Sequence, residues 1–451
     1  MSKEWKEGVL SDLATIVMGQ SPKGSDVNTD GDGKPLLNGP TEFGGTHPYP
    51  TQFTTNGKKV SQTGDLLFCV RGSTTGRMNW SDQEYVIGRG LATIRHKEDL
   101  ECQPFLRGII EHNLPNLLVS ATGSTFPNVS KDLLNYLFVN LPPLPEQKAI
   151  AGILGKLDDK IELNRQMNQT LEQMAQALFQ SWFVDFDPVI DNALAQGNDI
   201  PEALAQKAEK RKTVLNNPIL GGDKGVGTLP EDLQKLFPNK FTFNDTLNKW
   251  IPEGWEVKSF GDVSNCFDRN RIPLSKKQRE EKQPGIYPYY GATSINAYIN
   301  EYIFDDTYLL LGEDGSVIKE DGTPFTQYVW GKIWVNNHAH VLQGDNGVST
   351  EHLLTFIRRE NIKAYITGAV QLKINQGNMN SIPFINSSDE LNKCFAERLD
   401  SIYKKYKLNF EQTETLTQLR EVLLPQLISG KLSLSAEAIA KAGVPEGFLK
   451  K

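Results

Sequence analysis

Cysteine is scarce in this chain, with four in 451 residues (Cys69, Cys102, Cys266 and Cys394), and no two stand in a C-x-x-C pair. That spacing excludes a disulfide scaffold or a zinc ribbon and leaves reduced thiols, as in a cytoplasmic protein. Long hydrophobic runs are absent too; none approaches the roughly 18 apolar residues of a membrane-spanning helix, so no membrane association is expected. The opening MSKEWKEGVLSDL has charges where a signal peptide has its apolar core. Positive charge is not in excess: the formal net charge is −7. This excludes a basic, arm-type nucleic-acid binder, although local basic patches remain open. With 38% hydrophobic and 9% aromatic residues the chain is not disordered. At about 100–200 residues per domain, its length predicts two to four domains.

What the chain does have is a repeat. The stretch SATGSTFPNVSKDLLNYLFVNLPPLPEQ… and the stretch from Ile366 align at one offset of 245: Thr122-Gly123 with Thr367-Gly368, Leu163-Asn164 with Leu408-Asn409, and Thr170-Leu171 with Thr415-Leu416. Upstream the offset drifts, as loops of unequal length require. Asp65-Leu66-Leu67 resembles Tyr308-Leu309-Leu310, and VLSDLA resembles SFGDVS at Ser259. Trp5 and IPEGWEVKSF with Trp255 open the two halves.

Each half ends in a heptad seam. Positions 150, 154, 157, 161, 164, 168, 171, 175, 178 and 182 read Ile, Leu, Leu, Ile, Asn, Asn, Leu, Ala, Leu, Trp. Adding 245 gives Phe395, Leu399, Ile402, Tyr406, Asn409, Thr413, Leu416, Arg420, Leu423 and Leu427. Sustained 4-3 spacing predicts two long helices packed on one another, about 48 Å from 150 to 182. Asn164 and Asn409 interrupt both seams at the same place, where a buried amide fixes register. Pro145 and Glu146 suit a first turn. Ser387 with Glu390 offers a capping box for the second helix, Gly430 a stop, and Pro425 an early end or a kink. Residues 187–249 read as a linker with one or two short helices, one near 201–214, and with no counterpart after the second helix. The segments 1–142 and 250–388 alternate short apolar runs with Gly, Asn and Thr, which predicts mixed sheets with long loops.

Catalytic motifs are missing. GQSPKGS is only half of a phosphate loop, and no Asn/Asp-Pro-Pro-aromatic methyltransferase motif occurs. Asp306 and Glu313 resemble a nuclease acid pair, but Gly315 stands where its lysine belongs. His338 and His340 could place two imidazoles on one strand face for a metal, although no metal site is expected. Residues suited to reading base edges do cluster in loops. In the first half these are Lys23, Arg71, Ser73, Thr74, Arg77, Arg89, Thr125 and Asn128. In the second they are Arg269, Arg271, Lys276, Lys277, His338, Gln371, Lys373, Asn375, Asn378 and Asn380. The surrounding charge is slightly acidic, net −2 over 1–140 and −3 over 250–388, against the positive potential that usually grips phosphates.

The two-fold repeat, the segment LPPLPEQKAIAGILGKLDDKIELNRQMNQTLEQMAQALFQSWFVDFDP (141–188), IPEGWEV (251–257) and LREVLLPQLISGKL (419–432) together resemble the DNA-specificity subunit of type I restriction–modification systems. That resemblance covers nearly the whole chain. It implies an α+β fold: two mixed α/β target recognition domains alternating with two long helices in an antiparallel coiled coil, related by a pseudo-two-fold repeat. The expected divisions are a first recognition domain at 1–142, a first helix at 143–186, the linker at 187–249, a second recognition domain at 250–388, a second helix at 389–430 and a tail at 431–451. The resemblance further implies a non-catalytic protein that binds double-stranded DNA at a split site. Its implied partners are two methyltransferase subunits, to which an assembly can add two restriction subunits. S-adenosylmethionine, ATP and Mg would belong to those partners. The alternatives are a coiled-coil scaffold that does not read DNA, and a cryptic nuclease.

Overall fold

The computed structural model describes residues 5–122, 127–216, 229–368 and 371–432. The chain divides into two compact units, one of residues 1–167 with 408–451, the other of residues 168–407.

In the first unit the run Leu66–Cys69 is buried at every position. It is a strand between two cores: Leu66 and Phe68 face one cluster, Leu67 and Cys69 the other. Side chains alternate across a strand, so a strand covered on both faces reads as an unbroken apolar run. It lies within an antiparallel sheet ordered Ala14–Met18, Leu91–His96, Leu66–Cys69, Met78–Trp80. A second, mixed sheet pairs Lys34–Leu37 in parallel with Val86–Ile87. The helix Gln103–Ser120 puts Phe105, Leu106 and Ile109 on the first core, joined there by Ile150 and Leu154 and by Leu427 and Ile428.

The second unit repeats this plan. Its antiparallel sheet runs Ser264–Cys266, Ala339–Gly344, Tyr308–Gly312, Thr326–Val329. The register is the same: Leu66 pairs with Ile94, and Leu309 with Leu342. Leu309 and Leu311 face one core, Tyr308 and Leu310 another. The mixed sheet recurs with a parallel pair between Tyr287–Tyr290 and Lys332–Val335. The two-stranded ladder Lys6–Val9 with Phe138–Leu141 recurs as Glu256–Ser259 with Pro383–Asn386.

The two long helices are Leu144–Phe179, extended by a π-helical turn at Gln180–Val184, and Asp389–Ile428. None of the seam positions is exposed. Within the first unit they pair antiparallel, as expected. Asp158 accepts from Arg420 at 2.6 Å, Asn164 Nδ2 donates to Gln412 Oε1 at 3.0 Å, and Leu157 and Ile161 pack on Leu416. Arg420 also reaches Glu111 at 2.6 Å. Removing this guanidinium would strand the partly buried Asp158 carboxylate and leave Glu111 with Arg107 alone, at a cost of about 3 kcal/mol. Within the second unit, Asn168 Nδ2 donates to the Tyr406 carbonyl at 3.1 Å, and Glu172 holds Arg358 at 2.8 Å. Asn164 and Asn409 are both buried.

Three local expectations change. The second helix is capped by Ser388, whose Oγ accepts from Leu391 N–H at 3.3 Å. Ser387 lies one residue too early and turns inward, its Oγ donating to Asn392 Oδ1 at 2.7 Å. Pro425 does not stop the helix, which runs on to Ile428; Gly430, at φ +71°, follows its end. Residues 187–249, read as a linker with one or two short helices, one near 201–214, carry the helix Ala205–Leu215 there, together with the helices Asp187–Gln196 and Glu231–Gln234 and the strand Phe241–Asn244. Val189, Leu233 and Phe237 belong to the core of the second unit.

That core also holds His352, fully buried, with neither ring nitrogen hydrogen-bonded. Phe183 and Phe395 each lie 4.7 Å from its ring. Burial pushes its pKa down to about 3. The unfolded chain, with an imidazole near its ordinary value of about 6.5, therefore binds a proton that the folded chain refuses. Stability from this group is fully present above about pH 6.5 and falls by about 1.4 kcal/mol per pH unit below it. Between about pH 7 and pH 5, the urea midpoint of the native chain should drop more than that of His352→Leu, by the equivalent of about 2 kcal/mol. Parallel pH dependence of the two proteins would defeat this account.

Candidate nucleic-acid interface

A strand covered on both faces has only its ends to offer a ligand. At the end of Leu66–Cys69, Val70 N–H donates to the Gly90 carbonyl at 2.9 Å, and Val70 O accepts from Val129 N–H at 2.8 Å. Arg71 then pairs with Asn128 as an isolated bridge. Three loops thus meet: 71–77, 88–90 and the stretch ending at 127–128. Thr75 Oγ1 ties the first to the third, donating to the carbonyls of Gly72 and Pro127, both at 2.8 Å. Gly72 and Gly76 turn the loop at φ +97° and +96°, a region L side chains rarely adopt. A fourth loop joins through Gln20 N–H to Ile87 O at 2.8 Å and Arg89 N–H to Ser21 Oγ at 3.1 Å. Gly19 permits that approach, since a Cβ there would lie 2.1 Å from the Gly88 carbonyl oxygen.

The structure therefore gathers Arg71, Ser73, Thr74, Arg77, Arg89 and Asn128 at one sheet end, with Lys23 on the adjoining loop. Arg71, Ser73, Arg77, Arg89 and Lys23 are exposed. Arg77 Nη1 donates to the Pro40 carbonyl at 3.3 Å, while Arg71 and Arg89 side chains have no hydrogen-bond partner among the described residues. Thr125 lies outside the described residues.

The second unit builds the same junction. Glu313 N–H donates to the His338 carbonyl at 2.8 Å, Ile374 N–H to Glu313 O at 2.9 Å, and Asp314 bridges Lys373. Gly315 turns the loop at φ +75°. Position for position, Asp314-Gly315-Ser316 stands for Arg71-Gly72-Ser73, His338 for Gly90 and Lys373 for Asn128. The frame is shared and the side chains are not.

The electrostatics differ accordingly. Glu313 takes Arg271 Nη1 at 2.7 Å and Lys373 Nζ at 3.0 Å. Asp268 takes Arg271 at 3.2 Å, His340 Nδ1 at 2.5 Å and Val341 N–H at 3.0 Å. Burial pushes both carboxyls up, but the hydrogen bonds from His340 to Asp268 and from Arg271 and Lys373 to Glu313 outweigh it and hold both below the usual carboxylate range. His338 is half exposed and pairs with Asp314 at 2.5 Å.

Several expected contacts turn out to be braces. Arg271 is inside the carboxylate network with 12% of its side chain exposed. Asn375 caps the helix Gln376–Asn380, accepting from Asn378 N–H at 2.8 Å, and Asn378 Nδ2 donates to the Tyr365 carbonyl at 2.9 Å. Asn380 packs on Gly261, where a Cβ would lie 2.8 Å from its own. Of the run 371–380, Gln371 and Lys373 keep exposed side chains in the junction. Arg269 is exposed close by in sequence, whereas Lys276 and Lys277 lie on a separate short helix facing Glu280 and Glu281 at 3.9 Å each. Sequence reading missed Asp268, Glu313 and His340 as the network's anchors. Sliding the second loop by 243 onto the first would have picked out Asp314-Gly315-Ser316.

The catalytic alternatives gain no geometry. Asp306 and Glu313 flank opposite ends of the strand Tyr308–Gly312, about 23 Å apart along an extended chain. His338 and His340 part company, one to Asp314 and the other inward to Asp268. Cys266, Asp268 and His340 do offer donor atoms within 4.8 Å of one another. The Arg271 guanidinium already sits on that Asp268 carboxylate, and burial pushes the Cys266 thiol up to about 12; this donor set does not suit a cation. No helix among the described residues is long and apolar enough to cross a membrane.

Comparison with known proteins agrees with this duplicated plan. The family model described as type I restriction modification DNA specificity domain matches residues 2–173 and again 252–418. The HindI specificity subunit of Haemophilus influenzae is 27% identical over 417 residues, 83% of this chain and 88% of that protein. The MjaIX specificity subunit of Methanocaldococcus jannaschii is 24% identical over 340 residues, 69% of this chain and 64% of that one. Among solved structures, the type I system S subunit from M. genitalium shares the fold with a TM-score of 0.53 at 16% identity, covering 94% of this chain and 96% of that one. With the family model matched twice, once on each of the two repeats, this chain belongs to the type I restriction–modification DNA-specificity family.

Proposed function

We propose that the chain reads a bipartite, asymmetric DNA site, one half-site through each loop junction, with an unread spacer of fixed length between them. The observation that carries this reading is the junction itself: one backbone frame built twice, presenting Arg71, Arg89 and Asn128 in one copy and Asp314, His338 and Lys373 in the other. Identical frames with unlike side chains suit two different half-sequences. Free guanidinium groups suit the O6 and N7 acceptors of guanine; asparagine suits adenine.

The chain itself carries no catalysis in this reading. It docks two methyltransferase subunits and, where the system restricts, two restriction subunits. S-adenosylmethionine, ATP and Mg are bound by those partners. The two long helices set the spacer, because each belongs in part to one unit and in part to the other. The local acidity fits partners that supply much of the phosphate grip.

The test is methylation mapping in a methylation-free host that expresses the chain with its cognate methyltransferase subunit. A single motif of half-site, fixed gap and half-site is expected. Arg71→Ala should relax or weaken one half only, and Lys373→Ala the other, each by roughly 1–3 kcal/mol in binding. Loss at both halves from either variant would indicate a scaffold and not a reader. A four-residue insertion in the first long helix should change the gap and leave both half-sequences intact. An unchanged gap would overturn the role assigned to the helices. Metal-dependent cutting by the chain alone would favour the nuclease reading instead.

A further inference from the structure

The two units share a junction frame but not the connection that leaves it. In each, one strand of the mixed sheet turns back into an antiparallel partner: Lys34–Leu37 into Gln52–Thr54, and Tyr287–Tyr290 into Ile295–Ile299. In the second unit residues 291–294 make that connection as a tight turn, with Gly291 N–H donating to the Ser294 carbonyl at 2.8 Å. In the first unit residues 38–51 make it, a far longer loop at the same place in the sheet.

The long loop starts inside the junction. Lys34–Leu37 runs parallel to Val86–Ile87, so residues 38–51 leave from the same sheet end as 88–90. Gly88 N–H donates to the Leu37 carbonyl at 2.7 Å, and a Cβ on Gly90 would lie 2.4 Å from the Asn38 carbonyl oxygen. The Pro40 carbonyl takes the bond from Arg77. Phe43 pins the middle of the loop, buried in one core with Leu67 and Cys69. Gly44 N–H donates to the His47 carbonyl at 3.1 Å, Tyr49 N–H to the Glu42 carbonyl at 2.7 Å, and Asn79 Nδ2 to the Gly44 carbonyl at 3.0 Å.

That frame holds an aromatic ring out to solvent. Tyr49 is 75% exposed, and its hydroxyl has no hydrogen-bond partner among the described residues. A single exposed aromatic is ordinary on a protein surface, but this one is fixed. Pro48 and Pro50 on either side restrict the backbone. The ring rests against Gly44, where a Cβ would lie 2.4 Å from Tyr49 Cε2. A contact made by this ring costs little further ordering.

We propose that Tyr49 is a specificity residue of the first half-site, its ring packing on the C5-methyl group of a thymine in the major groove. The inference rests on the reading of the junctions as half-site readers and adds to it a contact of another kind. An uncharged ring adds nothing to the charge-driven grip on phosphates. Among base edges the thymine methyl is the apolar feature, and an apolar surface reads it without paired donors and acceptors. The turn Gly291-Ala292-Thr293-Ser294 brings no aromatic to the equivalent place, so the second half-site lacks this contact.

The test uses the chain assembled with its methyltransferase subunit and a duplex carrying the mapped motif. Arg71→Ala marks the half that the first unit reads. Deoxyuridine, which lacks only the methyl group, replaces each thymine of that half in turn. At one position the native chain should bind about fourfold more weakly, as the loss of one buried methyl requires. Tyr49→Ala should bind the unmodified duplex about tenfold more weakly and no longer respond to deoxyuridine at that position. Tyr49→Phe should keep both the affinity and the response, and neither variant should alter discrimination in the second half. Finding no thymine whose methyl matters to the native chain and not to Tyr49→Ala would overturn the inference. A loss in Tyr49→Phe equal to that in Tyr49→Ala would also overturn it, assigning the contact to the hydroxyl. Either result, with a split motif present and Arg71→Ala confined to one half, removes Tyr49 alone; absence of any split motif removes the underlying reading as well.

Discussion

The structure depends on one strand, made twice, that is buried on both faces. Leu66–Cys69 and Tyr308–Gly312 give every side chain to a core. Such a strand cannot vary along its length without opening a cavity or burying a polar group, each costing a few kcal/mol. Its end is free of that constraint, and there the backbone bonds of Val70 and Glu313 fasten three loops to one frame. Invariance of the frame and freedom of the loops thus come from the same burial.

Much of this was legible in the sequence, and the reason is period. The offset of 245 and the 4-3 spacing are long-range regularities that no single residue can blur, so the duplicated domains and the paired helices could be read directly. The apolar runs at Leu66 and Tyr308 were legible as strands because no polar residue interrupts them. The candidate site was legible only as far as its loops. Arg71, Ser73 and Arg89 stand where the reading placed them, but no local pattern shows that Arg271 meets a carboxylate 42 residues away or that Asn375 is spent on a helix end. Partners distant in sequence decide whether a polar side chain is free, and a single sequence does not display them. The cap at Ser388 was missed by one residue for a similar reason: the buried amides of Asn386 and Asn392 claim Ser387.

The two junctions also differ in how they are braced. In the first unit hydroxyl and backbone groups hold the loops, as with Thr75 on Gly72 and Pro127. In the second a chain of hydrogen bonds and ion pairs from His340 through Asp268, Arg271 and Glu313 to Lys373 does so. Charged hydrogen bonds shortened by burial are stiff and geometrically specific. The second junction therefore presents Lys373 from a fixed position, while Arg71 and Arg89 of the first keep the rotamer freedom of long exposed side chains.

The make-up of the first unit has a consequence for how the chain comes off the ribosome. Its core includes Leu427 and Ile428 from the far end of the sequence, whereas the second unit is a single continuous stretch, 168–407. Synthesis runs from the N-terminus, so the domain that begins first has to wait for the last helix before its core is complete. Until then the apolar faces of Gln103–Ser120 and of the first long helix stand open. The nascent protein thus carries an unfinished unit behind a finished one, and termination between residues 407 and 428 leaves the first unit's core incomplete while the second has its full stretch.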